Sequence, residues 1–171
     1  AGRGEGGVEP SGRRVVSEGQ LAKGDPRPLD GETHYECGSR TKVFTSLLLA
    51  EGTGGGGVAL TGPGGTFLPA KVTVPERGGK SITLEDLATH SSGLPRMPSN
   101  FTPKDAANPY ADYSFEHMYA FLSGYQLTRD IGAEYEYSNF GAGLLGHALT
   151  LRARATDYEA LVTERIIKPL A

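Results

Sequence analysis

Tyr35-Glu36-Cys37-Gly38-Ser39-Arg40-Thr41-Lys42-Val43-Phe44-Thr45-Ser46-Leu47-Leu48-Leu49 is the stretch on which the fold turns. From Gly38 onward the apolar residues change period. Val43, Phe44, Leu47 and Leu48 recur at i, i+1, i+4 and i+5, the mark of one buried helix face. That helix is predicted to stop near Glu51, because each interior glycine costs about 1 kcal/mol relative to alanine and four follow at 54–57. Near its start, Ser39 and Lys42 stand one turn apart on the same face. Serine is a poor nucleophile until a neighbouring base takes its proton, and an unprotonated amine one turn away can do so. Free N–H groups at a helix start also stabilise the oxyanion of acyl transfer. Alone, Ser-x-x-Lys is a weak signal, since an ordinary solvated helix end carries the same string.

Outward from this helix the chain reads as one mixed domain. Residues 1–35 suggest a β-hairpin, with Val8 before a Pro-Ser-Gly turn at 10–12 and Val15 and Val16 beyond it. The nucleophile helix takes 36–51, and the Gly-rich stretch 52–65 reads as a flexible surface loop. Residues 66–171 read as a helical part made of short helices and loops. Thr83 and Asp86 resemble a capping box, and Ser114 caps a segment with Phe115, Met118, Tyr119 and Leu122 at helical spacing. A further helix is expected from about Gly141 to Ala153, and Asp157 caps the last one. Hydrophobic residues at 37% and charged residues at 22% give a globular balance, and the net charge of −3 offers no footprint for nucleic acid. No run approaches the roughly 20 apolar residues of a membrane helix. The N-terminal ten residues lack a basic segment followed by an apolar one, so no signal peptide is expected in this chain, as none would be in a processed exported protein.

Tyr135-Glu136-Tyr137-Ser138-Asn139 is the second chemical element. In an extended segment residues two apart share a side, so Tyr137 and Asn139 are predicted to point together into a cleft, with Tyr135 packed in the core. A phenol can carry the serine proton as base and then acid. An amide can hold Lys42 and a substrate carbonyl.

Three segments together resemble the class C β-lactamase and penicillin-binding protein-like serine hydrolases. The run Tyr35–Thr45 looks like that family's nucleophile motif. Residues 82–95, Ile-Thr-Leu-Glu-Asp-Leu-Ala-Thr-His-Ser-Ser-Gly-Leu-Pro, resemble its linking helix and turn. Gly132–Gly141 resembles its Tyr-x-Asn motif with flanking glycines. The order matches as well. The resemblance implies a mixed α/β fold, an antiparallel sheet with helices beside a mainly helical subdomain, here incomplete. It implies an acyl-enzyme on Ser39, proton handling by Lys42 and Tyr137, and substrate positioning by Asn139. Substrates would be small molecules: β-lactams, D-Ala-D-Ala peptides or short-chain esters. No metal or organic cofactor is implied, and the family's habit would put the chain in the periplasm or outside the cell.

The pattern also departs from the family. Its third motif, Lys-Thr-Gly or a variant such as His-x-Gly, is not found among these residues, and His90-Ser91-Ser92-Gly93 has one residue too many. The family's nucleophile helix continues where this chain has Gly52–Gly57, and the helix that precedes the first strands is missing. Either the chain is a piece of a longer protein or a second chain completes the sheet. A non-catalytic or crippled penicillin-binding-like domain is the alternative, and this chain alone is expected to be a poor catalyst.

Several other strings invite functional readings. Gly141-Ala142-Gly143-Leu144-Leu145-Gly146 spells a dinucleotide fingerprint but follows no β-branched strand, so close helix packing is expected of it. His34, His90, His117 and His147 have no spacing of zinc ligands, and His90 is expected to bond within its own turn. Cys37 is expected to be a small packing residue.

Overall fold

The computed structural model describes residues 2–170. The sequence suggests one domain, whereas by its contacts the chain divides into two compact units, between Gly38 and Ser39. In the first unit, β1 (Gly2–Glu9) pairs antiparallel with β2 (Gly12–Gly19), Gly2 opposite Gly19 and Glu9 opposite Gly12. Pro10 and Ser11 make the two-residue turn, and Gly12 leaves it at φ +130°, where a Cβ is strained. Val8, Val15 and Val16 of this hairpin are all exposed.

The second unit is built around α4 (Asn139–Ala153). A 3₁₀ turn, Gly38–Arg40, leads into α1 (Thr41–Gly54). A small antiparallel pair, β3 (Glu76–Arg77) and β4 (Lys80–Ser81), precedes α2 (Leu84–Ala88). Then come α3 (Phe115–Gly124), α4 and α5 (Tyr158–Val162), which passes through a π turn into α6 (Lys168–Leu170). Strand pairs and helices together make a mixed α/β chain. Phe140, Leu144, Leu145, Ala148 and Leu149 of α4 are buried in one cluster with Leu84 and Leu87 of α2, Leu48 and Leu49 of α1, and Leu122 of α3. Each such leucine contributes about 1.5–3 kcal/mol when fully buried, so this cluster is what holds α1, α2 and α3 around α4. Among the described residues no helix is long and apolar enough to cross a membrane.

The caps expected at Thr83, Ser114 and Asp157 accept hydrogen bonds from the backbone N–H groups of Asp86, His117 and Ala160. α1 differs from its expected form in two ways. Its buried face holds Thr45, Leu48 and Leu49, while Val43 and Leu47 are 67% and 46% exposed, so the face lies one residue further on. Counting apolar residues alone misses Thr45, whose hydroxyl is satisfied inside by the Tyr158 hydroxyl at 2.7 Å and the Thr41 carbonyl at 3.3 Å. α1 also runs past Glu51 to Gly54. Gly52 is used there: its carbonyl accepts the N–H groups of Gly57 and Val58, and a Cβ on it would meet Val58 at 3.0 Å. The Gly-rich stretch is correspondingly less free than a surface loop. The Arg152 guanidinium donates to the Gly57 carbonyl at 3.0 Å, Gly64 N–H to Ile82, and Leu84 N–H to Gly62.

Candidate active site

α1, the turn after α2, and the cap of α4 meet at one point. Ser39 lies in the 3₁₀ turn ahead of α1 and is exposed, within reach of a ligand. Lys42, in the first turn of α1, donates from Nζ to Ser39 Oγ at 3.1 Å and to Asn139 Oδ1 at 2.8 Å. The Tyr137 hydroxyl donates to Ser39 Oγ at 2.6 Å, across 98 positions of chain. Phenol, alcohol, amine and amide, the four groups singled out in the sequence, are therefore joined in one chain of contacts, the amide reaching the alcohol only through the amine. Both neighbours donate to Ser39, whose own hydroxyl hydrogen is left free to point elsewhere.

The route by which Tyr137 and Asn139 come together is not strand alternation. Asn139 is the first residue of α4, and Ser138 between them is its extended N-cap, accepting the Gly141 N–H at 2.8 Å and donating to the Pro95 carbonyl at 2.7 Å. Ser138 is buried, so the cap is a fixed point from which the two neighbouring side chains leave. Gly141 is needed beside it, since a Cβ there would stand 3.2 Å from Ser138 Oγ.

Charge around the phenol is positive. Lys42 Nζ lies 4.7 Å and the Arg96 guanidinium carbon 5.2 Å from the Tyr137 ring centroid. Lys42 first, then the Ser39 hydroxyl, with Arg96 as a lesser influence, hold the Tyr137 phenol below its ordinary value. Removal from water, with Lys42 nearby, likewise pushes the His90 imidazolium down, so that the neutral ring is favoured.

Behind Lys42, the Tyr158 hydroxyl touches both Thr45 and the Thr41 carbonyl, tying α5 to the first turn of α1. Gly146 lets that ring approach, because a Cβ there would meet Tyr158 at 3.2 Å and Thr45 at 3.7 Å. Gly143 likewise faces Met118. The Gly141–Gly146 string is a packing device.

Three sequence readings are corrected here. Tyr135 is not a core residue: it is 69% exposed and stands edge-on to His90. Cys37 is not packed inside but is an exposed thiol facing the Tyr35 carbonyl at 3.9 Å. His90 bonds outside its own turn, accepting the Ser138 N–H at Nδ1 over 3.1 Å. Arg96 had no signal in the sequence, because a cation next to a proline is unremarked until the turn places it beside an aromatic ring. Among the described residues no three His, Cys, Asp or Glu side chains gather as a metal site.

This constellation and fold define a class, and the chain belongs to it: the β-lactamase family, whose model matches residues 8–171. The D-alanyl-D-alanine-carboxypeptidase/endopeptidase AmpH of Escherichia coli K12 is 35% identical over 134 residues, 77% of this chain and 34% of that protein. A β-lactamase of Pseudomonas fluorescens is 29% identical over 156 residues, 89% of this chain and 39% of its own length. Among solved structures, a β-lactamase/D-alanine carboxypeptidase from Yersinia pestis superposes with a TM-score of 0.84 at 28% identity, covering 92% of this chain and 44% of that one. The chain thus spans between about a third and just under half the length of these relatives.

Proposed function

We propose that the protein is a serine acyl-hydrolase in which Ser39 forms an acyl-enzyme with a β-lactam, a D-alanyl-D-alanine peptide or a short-chain ester. The observation that carries this reading is the contact of one exposed alcohol with an amine at 3.1 Å and a phenol at 2.6 Å. Once the phenol has lost its proton the contact reverses, and Ser39 donates to a phenolate that acts as general base. Ser39 Oγ attacks the carbonyl carbon while its proton passes to the Tyr137 oxygen. The tetrahedral intermediate then breaks the acyl C–N or C–O bond, and Tyr137 returns that proton to the departing nitrogen or oxygen. Water repeats the sequence on the ester, again with Tyr137 as base, and regenerates Ser39. Lys42 supplies positive charge beside the phenolate and the forming alkoxide, and Asn139 keeps it there.

The test is covalent labelling of the chain with a fluorescent penicillin, alongside turnover of a chromogenic cephalosporin and of p-nitrophenyl butyrate. The expected outcome is labelling that is lost in Ser39→Ala, with slow release of product, as befits a chain that alone is a poor catalyst. Label without release would define an acyl trap rather than a hydrolase. Label that persists in Ser39→Ala would remove Ser39 from the chemistry.

A further inference from the structure

His90 is one of two non-glycine residues at positive φ among the described residues, at +62°; the other, Arg154, simply ends α4. A residue with a Cβ pays about 1–2 kcal/mol there relative to right-handed backbone, and glycine would relieve it. An outlier kept at such a cost calls for a use of the side chain. The use is visible. The His90 carbonyl accepts the Glu136 N–H at 2.8 Å, and the ring Nδ1 accepts the Ser138 N–H at 3.1 Å. These two N–H groups flank Tyr137, so one residue grips the backbone on both sides of the phenol. The imidazole also packs on the Tyr137 ring, centroids 4.7 Å apart, and Tyr135 stands edge-on to it. No side-chain hydrogen bond joins His90 to Ser39 or Lys42.

Resting on the reading of Ser39 as nucleophile, we propose that His90 is a positioning residue, a neutral Nε2-protonated imidazole that clamps the Glu136–Ser138 backbone so that the Tyr137 phenol stays on Ser39. Nδ1 can accept from Ser138 only while it carries no proton. Protonation replaces an acceptor with a donor facing a donor, and the clamp opens. The groups facing the ring are Lys42 from α1 and Tyr135 and Tyr137 before α4, and the Arg96 guanidinium lies over the Tyr137 ring. Asp86 of α2 is occupied by Thr83 and Ser91, and the Glu136 carboxylate by Arg129. No free carboxylate among these holds the imidazolium, so the ring stays neutral until the pH falls below the ordinary histidine range, and acylation fails there.

The discriminating variants are His90→Asn and His90→Gln. Asparagine tolerates positive φ and carries its amide oxygen where Nδ1 stands, whereas glutamine carries it too far. In the whole chain, the Ser138 amide resonance is followed by ¹⁵N–¹H NMR against pH, and acylation by a fluorescent penicillin is timed over the same range. The wild-type Ser138 amide titrates below pH 6.5, the reference histidine value, and acylation falls with it. His90→Gln loses about 10-fold in acylation rate, the scale of one hydrogen bond. His90→Asn restores most of the rate and abolishes the acid limb and the amide titration together. A Ser138 amide blind to pH, an acid limb that survives in His90→Asn, or an Asn variant as slow as Gln would overturn the proposal. If the amide titrates while no form of the chain acylates, the clamp stands and the assignment of Ser39 falls.

Discussion

Asn139→Ala probes how Lys42 is held. Lys42 Nζ has two acceptors in the structure, and the shorter contact, 2.8 Å, is to Asn139 Oδ1 rather than to Ser39. A hydrogen bond to a charged group is worth about 1.5–3 kcal/mol. Because this pair is only partly buried, the lower end applies. Losing about 1.5 kcal/mol of orientation at Lys42 slows acylation about 10-fold, one decade per 1.36 kcal/mol. Stability should hardly move. Asn139 opens α4, but the cap is the Ser138 hydroxyl on Gly141, and the Asn139 N–H bond to the Arg96 carbonyl is backbone and survives the substitution. The second contact of the amide, Nδ2 to Met97 Sδ at 3.6 Å, is too weak to add much.

The assay is the single-turnover rate of fluorescent-penicillin labelling, with thermal melting as control. Asn139→Asp separates two roles for the amine. A carboxylate holds the ammonium in place more firmly, yet it also cancels positive charge beside Tyr137. If position is what matters, Asp outperforms Ala. If the field on the phenolate matters, Asp is slower than Ala. Asn139→Ala labelling within about twofold of wild type, below the effect of even one ordinary hydrogen bond, would show that Ser39 does not depend on where Asn139 holds Lys42.

Two further outcomes are open to measurement. Arg96→Ala removes a cation that helps hold the Tyr137 phenol below its usual value, so the rise of acylation with pH through the phenol's ionisation should move to higher pH; an unmoved alkaline limb would detach Tyr137 from the base role. Gly146→Ala gains about 1 kcal/mol of helix propensity but drives a Cβ to 3.2 Å from a Tyr158 ring pinned by its hydroxyl at 2.7 Å from Thr45. Overpacking costs about 1–3 kcal/mol, so the variant should be destabilised by about 1 kcal/mol, roughly 2–4 °C in melting temperature, and an unchanged or raised value would show that the ring can step aside.

Most of the candidate site was legible in the sequence because the groups that meet there sit on residues whose spacing is local. Ser39 and Lys42 are one turn apart, and Tyr137 and Asn139 flank a single capping serine. What could not be read was how the pairs are supported, since that support is backbone. His90 grips two N–H groups 46 and 48 residues away, and no side-chain pattern encodes a carbonyl or a positive φ. The displaced face of α1 has a related cause. Periodicity counts apolar residues, and Thr45 enters the core because Tyr158 and the Thr41 carbonyl meet its hydroxyl. The glycines at 52–57 depart from the sequence expectation because their helix cost is intrinsic, whereas their compensation comes from Val58 and Arg152.

The same serine that caps α4 also fixes where the phenol and the amide of the candidate site leave the backbone. Ser138 is engaged by three partners: Gly141 N–H on its oxygen, the Pro95 carbonyl on its hydrogen, and His90 Nδ1 on its backbone N–H. The Arg96 carbonyl takes the next two N–H groups, those of Asn139 and Phe140, at 3.0 and 3.3 Å. The first N–H groups of α4 are thereby taken up by Arg96 and by the Ser138 cap, so α4 cannot shift along its axis without breaking several bonds at once. A phenol and an amide projecting from either side of such a cap have little freedom of their own. Lys42 and Ser39 reach the same place from α1, which Thr45 and Leu48 bind into the core. The geometry around Ser39 is therefore a property of two helix beginnings docked on one turn.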